Sequence, residues 1–202
     1  MHSLKDVPTT LPNGIIQSAV LERFNPSDVV VFRSGKDLND YSNSIIATGS
    51  LRRKAQWLNL YPNSEIVGLR GNIDTRLEKV KKSNWTGGIF AGAGLDRLGI
   101  KPNNSMTLSW MIPAPAQGVI MLAAREDDDF VNNACSSLNH METQICSGIE
   151  RDFLKKLEGG CTAPIGALAT INKKTKHIDF KGILLSRDGK KKLSVEMSCE
   201  LQ

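Results

Sequence analysis

Five arginines follow closely after segments that have the composition of β-strands, and they suggest that this sequence could bind an anion. A guanidinium is a planar fork that binds a carboxylate or a phosphate through two parallel hydrogen bonds. In open α/β sheets, ligands bind at the carboxyl ends of the strands. Several forks at that edge therefore predict a ligand with several carboxylates or phosphates. The five are Arg52, Arg53, Arg70, Arg76 and Arg97.

Each arginine taken alone has a simpler explanation, which is an ion pair on the protein surface. Asp74, Glu78 and Asp96 are the candidate partners. For the whole set, the shared position behind strands favours a polyanion site. Arg52 and Arg53 favour it further, because a cation in the first turn of a helix opposes the helix dipole by ~0.3–1 kcal/mol, whereas the free backbone N–H groups there suit an anion.

An acid and a thiol are the other candidate reactive groups. Asp6 lies in "HSLKDVP", where its carboxylate could stabilise a cationic intermediate or move protons. Cys161 lies in "LEGGCTAPIG", behind two glycines in a segment that reads as an exposed loop, and its sulfur could serve as a nucleophile or an attachment point. Pattern alone favours an ordinary turn aspartate at position 6, and it supports a plain free thiol at position 161 equally well.

The elements that must position these residues alternate between strand and helix after the first loop. Short β-branched runs predict strands, and the helical spacing of apolar residues predicts helices between them. This alternation predicts an α/β fold with a mostly parallel sheet. The predicted strands are 28–32, 44–50, 65–69 and the first part of 87–95, and the predicted helices are 51–61 and 72–82, the second capped by Asn72.

The last third of the chain does not continue this alternation of strand and helix. A long helical segment at 133–160 predicts two helices joined near His140, the second ended by Gly159 and Gly160. The sequence then becomes rich in strand-forming residues. An Asp-Gly pair at 188–189 between two alternating runs predicts an antiparallel hairpin.

The composition limits the class of protein. The 202 residues are 40% hydrophobic and 23% charged, as in a folded chain, and no apolar run approaches the ~20 residues of a membrane span. The scattered cysteines and histidines predict no metal site. The net charge of +5 comes with only 5% aromatic residues and no nucleic-acid-binding motif. A P-loop string is absent. We therefore predict a cytoplasmic protein that binds neither nucleic acid nor a membrane.

Six motifs along the chain resemble, in order, those of the porphobilinogen deaminase family, also called hydroxymethylbilane synthases. They span nearly the whole chain, and the pair "HSLKD" and "LEGGC" is the most specific. The six are "HSLKDVPT", "ATGSLRRKAQW", "LRGNIDTRLEK", "AGAGLDRLG", "PAPAQG" and "LEGGCTAPIGA".

The resemblance implies a transferase of tetrapyrrole (heme) biosynthesis. Such an enzyme condenses four porphobilinogen molecules, with loss of ammonia, onto a covalently bound dipyrromethane and releases hydroxymethylbilane. It implies that Cys161 carries the dipyrromethane through a thioether and that Asp6 is the catalytic residue. Further cofactor-binding residues implied by the resemblance are Lys5, Ser3, Thr48, Ser50, Arg52, Arg53, Arg70 and Gly71, and the implied substrate-binding residues are Arg76, Arg97 and Gln117.

The resemblance also implies a domain arrangement. Two lobes would be similar to periplasmic binding proteins, the first comprising 1–22 with 114–140 and the second 23–113. A small C-terminal α+β domain over 141–202 would carry the cofactor cysteine. Since the family has a strand–helix unit before "HSLKD" and a longer third domain, we expect a monomeric fragment with little activity of its own.

A protein of a different class remains the alternative. A non-catalytic two-lobed module that closes on a carboxylate or an oxyanion could use the same arginines. Such a module would need neither Asp6 nor Cys161.

Overall fold

The described part of the chain contains three separate β-sheets, with helices packed against them in a mixed α/β fold. The computed structural model describes residues 1–33, 41–157 and 163–201. The strands are β1 (His2–Ser3), β2 (Ile15–Val20), β3 (Asp28–Phe32), β4 (Ile45–Ala47), β5 (Glu65–Val67), β6 (Gly87–Ala91), β7 (Ser105–Thr107), β8 (Ile120–Arg125), β9 (Ile165–Asn172), β10 (His177–Leu185) and β11 (Lys192–Glu200). The helices are α1 (Leu51–Leu60), α2 (Ile73–Lys82), α3 (Gly92–Arg97), α4 (Asp129–Ser136) and α5 (Met141–Lys156), and Leu4–Asp6 forms a 3₁₀ turn.

The middle sheet has the strand order β5-β4-β6-β3-β7 and is mixed, whereas the sequence predicted a mostly parallel sheet. β4 runs parallel to both β5 and β6, but β3 is antiparallel to β6 and to β7. The alternation of strand and helix fixes the direction only of the strands that α1 and α2 connect. It carries no information about β3 and β7, which pair at the other side of the sheet.

Strand β3 shows why this sheet is buried on both faces. Its side chains alternate between two cores, because successive residues of a strand point to opposite faces. Val29 and Val31 pack with Phe90 and Val80 of one core. The other core contains Val30, Phe32, Ile46, Trp57, Ile89, Leu108 and Met111.

The first sheet is built from chain segments on either side of the middle sheet. β8 pairs antiparallel with both β1 and β2, so the chain leaves this sheet through 21–27 and returns through 111–119. The two crossing segments touch at Gly118, which has φ +84°; a Cβ there would lie 2.6 Å from the carbonyl oxygen of Phe24. The crossing therefore requires glycine for both its conformation and its space.

We expect Gly118→Ala to lower the free energy of unfolding by more than about 1 kcal/mol, because alanine is strained at this φ and has no room. In a thermal melt this corresponds to roughly 2–4 °C per kcal/mol. Gly148→Ala is the matched control, since Gly148 lies within α5 with open space around it; we expect it to stabilise the helix by about 0.5–1 kcal/mol. Equal melting temperatures for the two variants would contradict the requirement for glycine at position 118.

The C-terminal unit places α5 against the antiparallel sheet β9–β10–β11. As predicted, two helices meet near His140, whose ring caps α5 by accepting from the backbone N–H of Thr143. The predicted hairpin is also present, joining β10 to β11. Its tip docks on α1, where Asn59 Nδ2 donates to the Gly189 carbonyl over 2.7 Å. No helix in the described ranges is both long and apolar enough to cross a membrane.

Glu150 of α5 links the C-terminal sheet to the two crossing segments. Its carboxylate is fully buried and receives both guanidinium arms of Arg23, at 2.6 and 2.9 Å. It also accepts the backbone N–H of Ala116, at the crossing, and of Ala169 in β9, both at 2.7 Å. Because every oxygen is paired, the buried charge is compensated and holds these segments in one arrangement.

Candidate functional site

A cleft of about 630 Å³ opens at the carboxyl ends of β4 and β5. These strands run parallel, so the side chains that follow them meet at one edge of the sheet. A second cavity of about 370 Å³ extends past α3 and shares four lining residues with the cleft, which are Lys5, Asp6, Arg53 and Arg76. Ser50, Arg52, Arg70 and Gln117 line only the first cavity, and Ser3 and Arg97 only the second.

Arg52 and Arg53 reach the cleft from the first turn of α1, and both are almost completely buried. Their partner is Asp28, the first residue of β3: Arg52 Nη1 lies 2.7 Å from Asp28 Oδ2, and Arg53 Nη2 lies 2.8 Å from Asp28 Oδ1. The simpler explanation offered for the arginines, surface ion pairs with Asp74, Glu78 or Asp96, therefore does not apply to these two. Arg53 also donates to the Ile89 carbonyl over 3.0 Å.

Asp28 is a residue that the sequence reasoning missed. The signal was present, because an acid that begins the apolar run "DVVVF" of a buried strand needs a partner. Burial raises the pKa of Asp28, but the charges of Arg52 and Arg53 and the hydrogen bonds from Arg52 and Gln117 outweigh it and hold that pKa at about 2. Asp28 therefore fixes both guanidinium groups at the back of the cleft while neutralising only one of their two charges.

Lys5 adds to the positive charge of the cleft. Burial and the neighbouring Arg53 charge together lower the pKa of the Lys5 ammonium below its usual value. Burial likewise lowers the pKa of Arg53, against the opposing effect of Asp28. An incoming carboxylate would relieve this repulsion among cations, so the electrostatics of the cleft favour an anionic ligand.

Unpaired polar atoms in the wall of the cleft indicate a ligand that both donates and accepts hydrogen bonds. Gln117 Nε2 donates to Asp28 Oδ1 and to the Pro26 carbonyl, at 3.0 and 2.7 Å. Its Oε1 is buried without a partner, as are Arg52 Nε and Arg76 Nε, within the part of the chain that the structure describes. Since unpaired buried polar groups are costly, a ligand carrying acidic oxygens and N–H groups would complement them.

The turn Leu4–Asp6 presents a cation and an acid side by side to both cavities. Leu4 is completely buried and anchors the turn, and its backbone N–H donates to the Val119 carbonyl over 2.9 Å. Lys5 and Asp6 follow it, with Asp6 exposed. This arrangement suits Asp6 to act on a ligand that the cations hold.

Two of the described residues that were singled out from the sequence, Thr48 and Gly71, line neither cavity. Thr48 is buried and its hydroxyl accepts from the backbone N–H of Ser50 over 3.2 Å. Gly71 follows Arg70 with φ +120° and lies against the Thr75 side chain. Cys161 lies outside the described residues, as do Gly159 and Gly160.

Comparisons with known proteins point to one family. Residues 1–133 match the family model "Porphobilinogen deaminase, dipyromethane cofactor binding domain", and residues 144–202 match "Porphobilinogen deaminase, C-terminal domain". The chain is 36% identical to the "Probable porphobilinogen deaminase" of Methanocaldococcus jannaschii, over 100% of this chain and 69% of that protein. It is 41% identical to the porphobilinogen deaminase of Listeria welshimeri, over 95% of this chain and 63% of that protein.

The chain thus spans roughly two thirds of the length of these relatives. Solved structures give a weaker likeness. The L-cystine solute receptor of Neisseria gonorrhoeae has a TM-score of 0.30 and 14% identity, over 69% of this chain and 56% of that one. A structure concerning glutathione import by GshT of Streptococcus mutans has a TM-score of 0.36 and 11% identity, over 70% and 63%. At these scores the likeness carries no structural argument.

Proposed function

Because this chain belongs to the porphobilinogen deaminase family, we propose that the complete natural protein condenses four porphobilinogen molecules, with loss of ammonia, and releases hydroxymethylbilane in tetrapyrrole biosynthesis. One observation carries the proposal. Five basic side chains line a cleft that contains the exposed acid Asp6, and they are Lys5, Arg52, Arg53, Arg70 and Arg76. A polycarboxylate that reacts through a cationic centre needs both kinds of group.

The cofactor of this family is a dipyrromethane, and the described residues suit it. Each of its pyrroles carries two carboxylates, which match the guanidinium groups of the cleft. When bound, the group supplies the pyrrole carbon to which the first new unit is joined. Cys161 would hold it through a thioether, and the side chains and backbone that would bind it are Lys5, Ser3, Thr48, Ser50, Arg52, Arg53, Arg70 and Gly71.

The substrate would bind where the two cavities meet. Arg76 lines both cavities and Arg97 lines the second, so together they could hold the acetate and propionate of an incoming porphobilinogen. Gln117, at the back of the first cavity, would accept a pyrrole N–H. Binding through carboxylates distant from the reacting carbon would orient the substrate without hindering its chemistry.

Asp6 would act on the reacting centre. As the bond between the aminomethyl carbon and ammonia breaks, positive charge develops on the pyrrole ring of the substrate. The Asp6 carboxylate would accept the ring N–H and stabilise that charge, and Lys5 beside it would bind a carboxylate of the cofactor. Fixed charges of this kind stabilise a transition state more than a ground state.

The proposal also covers the state and the location of the protein, which are a monomer in the cytoplasm. It further includes two lobes arranged as in periplasmic binding proteins, 1–22 with 114–140 and 23–113, and a domain over 141–202 that carries the cofactor cysteine. The cations that line a cavity of small-molecule size support a small-molecule partner rather than nucleic acid. The non-catalytic binding module is not favoured by the family match.

Intact-mass measurement of the complete natural protein tests the proposal. We expect a mass above that of the polypeptide by one dipyrromethane, and Cys161→Ser should remove the added mass and the turnover of porphobilinogen. Cys199→Ser is the matched control, because Cys199 is an exposed free thiol on β11. An unmodified Cys161 in a protein that consumes porphobilinogen would refute the attachment. Tight oxyanion binding without consumption would support the binding module instead.

A further inference from the structure

We propose that Arg151 is a positioning residue that holds the turn carrying Lys5 and Asp6. The proposal rests on the proposed function, since it concerns how Asp6 is aimed at the substrate. Arg151 lies in α5 and lines neither cavity within the described structure. Any effect of Arg151 on the reaction must therefore be indirect.

The guanidinium of Arg151 donates hydrogen bonds to three backbone carbonyls, one in the turn and two directly after it. Nη1 donates to the Leu4 carbonyl over 3.1 Å and to the Val7 carbonyl over 3.0 Å, and Nη2 donates to the Pro8 carbonyl over 2.6 Å. These acceptors stand on both sides of Lys5 and Asp6 in the sequence. A planar donor with several N–H groups can fix three oxygens at once, which an ammonium cannot do with the same geometry.

Apart from the packing of Val7 and Leu11 against the core around Leu4, hydrogen bonds hold the outgoing end of the turn. On the incoming side, Leu4 is buried and its N–H bonds Val119, whereas after Asp6 the described bonds are Val7 N–H to the Leu4 carbonyl and those of Arg151. Asp6 itself is exposed and makes no described ion pair. Its position is therefore set by the backbone that Arg151 holds.

Glu150, which precedes Arg151 in α5, explains why this helix is a fixed support for the hydrogen bonds of Arg151. Glu150 is fully buried and bonded to Arg23, Ala116 and Ala169, so the helix cannot shift without breaking a compensated ion pair. Two adjacent residues of one helix thus have separate roles. Glu150 holds α5 against the rest of the molecule, and Arg151 holds the turn that carries Asp6 against α5. Burial lowers the pKa of Arg151, consistent with a guanidinium that is partly withdrawn from water.

Steady-state kinetics and hydrogen exchange on the complete, cofactor-loaded protein test the proposal. We expect Arg151→Met to lower kcat by roughly 10- to 100-fold, because a displacement near 1 Å at a reacting group can cost ~100-fold, while KM changes by less than about 3-fold. Arg151→Lys should recover part of kcat. The amides of Leu4 and Val7 should exchange faster in Arg151→Met, without faster exchange in β9 and β10.

Lys155→Met is the matched control, since Lys155 is an exposed base one turn further along α5; we expect wild-type kcat and wild-type exchange at the turn. Unchanged kcat or unchanged exchange of the turn in Arg151→Met, with an active wild type, would overturn the positioning role. So would faster exchange throughout the C-terminal sheet, which indicates general loosening. A wild type that does not consume porphobilinogen would instead overturn the proposed function, and the exchange result would still decide whether Arg151 holds the turn.

Discussion

Asp28→Asn should lower the free energy of unfolding by about 3–5 kcal/mol, because breaking a buried ion pair leaves an uncompensated charge in the interior. Here one carboxylate serves two guanidinium groups, Arg52 and Arg53, so both would lose their partner. The asparagine keeps the size of the side chain and can still accept from Gln117, which confines the change to the charge. Urea unfolding monitored by tryptophan fluorescence measures the difference, since Trp57 lies in the same helix as the two arginines and is completely buried.

The same carboxylate predicts a dependence of stability on pH. Its pKa is held at about 2, below an ordinary value of 3.8, so the folded state keeps Asp28 ionised where the unfolded chain takes up a proton. The stability from this group is complete above about pH 4 and is lost as the pH falls toward 2, an effect of about 2 kcal/mol. We expect this loss in the wild type and its absence in Asp28→Asn.

Asp96→Asn provides the control for both measurements. Asp96 is exposed on α3 and was a candidate partner for the arginines on the basis of sequence alone. Its substitution should change the free energy of unfolding by no more than about 0.5 kcal/mol. If Asp96→Asn were as destabilising as Asp28→Asn, the buried pairing would not be the source of the stability.

The second large effect is expected on catalysis. Asp6→Asn should lower kcat for porphobilinogen consumption by about 100- to 1,000-fold, since removing one group that stabilises transition-state charge typically costs that much. The melting temperature should stay the same, because the Asp6 side chain is exposed. Asp127→Asn, at another exposed carboxylate, serves as the control and should leave kcat unchanged.

Two outcomes would count against this role for Asp6. A kcat within a few-fold of the wild type would mean that the carboxylate does not act on the developing charge. A raised KM with unchanged kcat would mean that Asp6 only binds the substrate in its ground state.

The gathering of the arginines was predictable because it depends on local sequence. β4, β5 and β6 are linked by helices, so their carboxyl ends had to share an edge. Arg53 follows the end of β4, and Arg70 and Arg76 follow the end of β5. The helix caps at Ser50 and Asn72 follow from short-range side-chain chemistry in the same way. Such features are set by residues a few positions apart.

The contacts that complete the site join residues far apart in the chain, and the sequence pattern could not supply them. Asp28 meets Arg52 across 24 positions, and Arg151 meets the Leu4 carbonyl across 147. Each pair depends on how two separately folded segments come together, which periodicity does not encode. The direction of β3 was unpredictable for the same reason. The proposed role of Cys161 rests on the family resemblance alone.

The docking of the hairpin tip on α1 has a practical consequence for engineering. Hairpin tips are usually the places where a protein tolerates inserted residues or peptide tags. Here a Cβ at Gly189 would lie 2.5 Å from the Ala55 carbonyl oxygen, and the same helix begins with the two arginines that Asp28 holds. Lengthening this tip would therefore push on the helix of the anion site, and a tag is better placed in the exposed segment around Lys174, between β9 and β10.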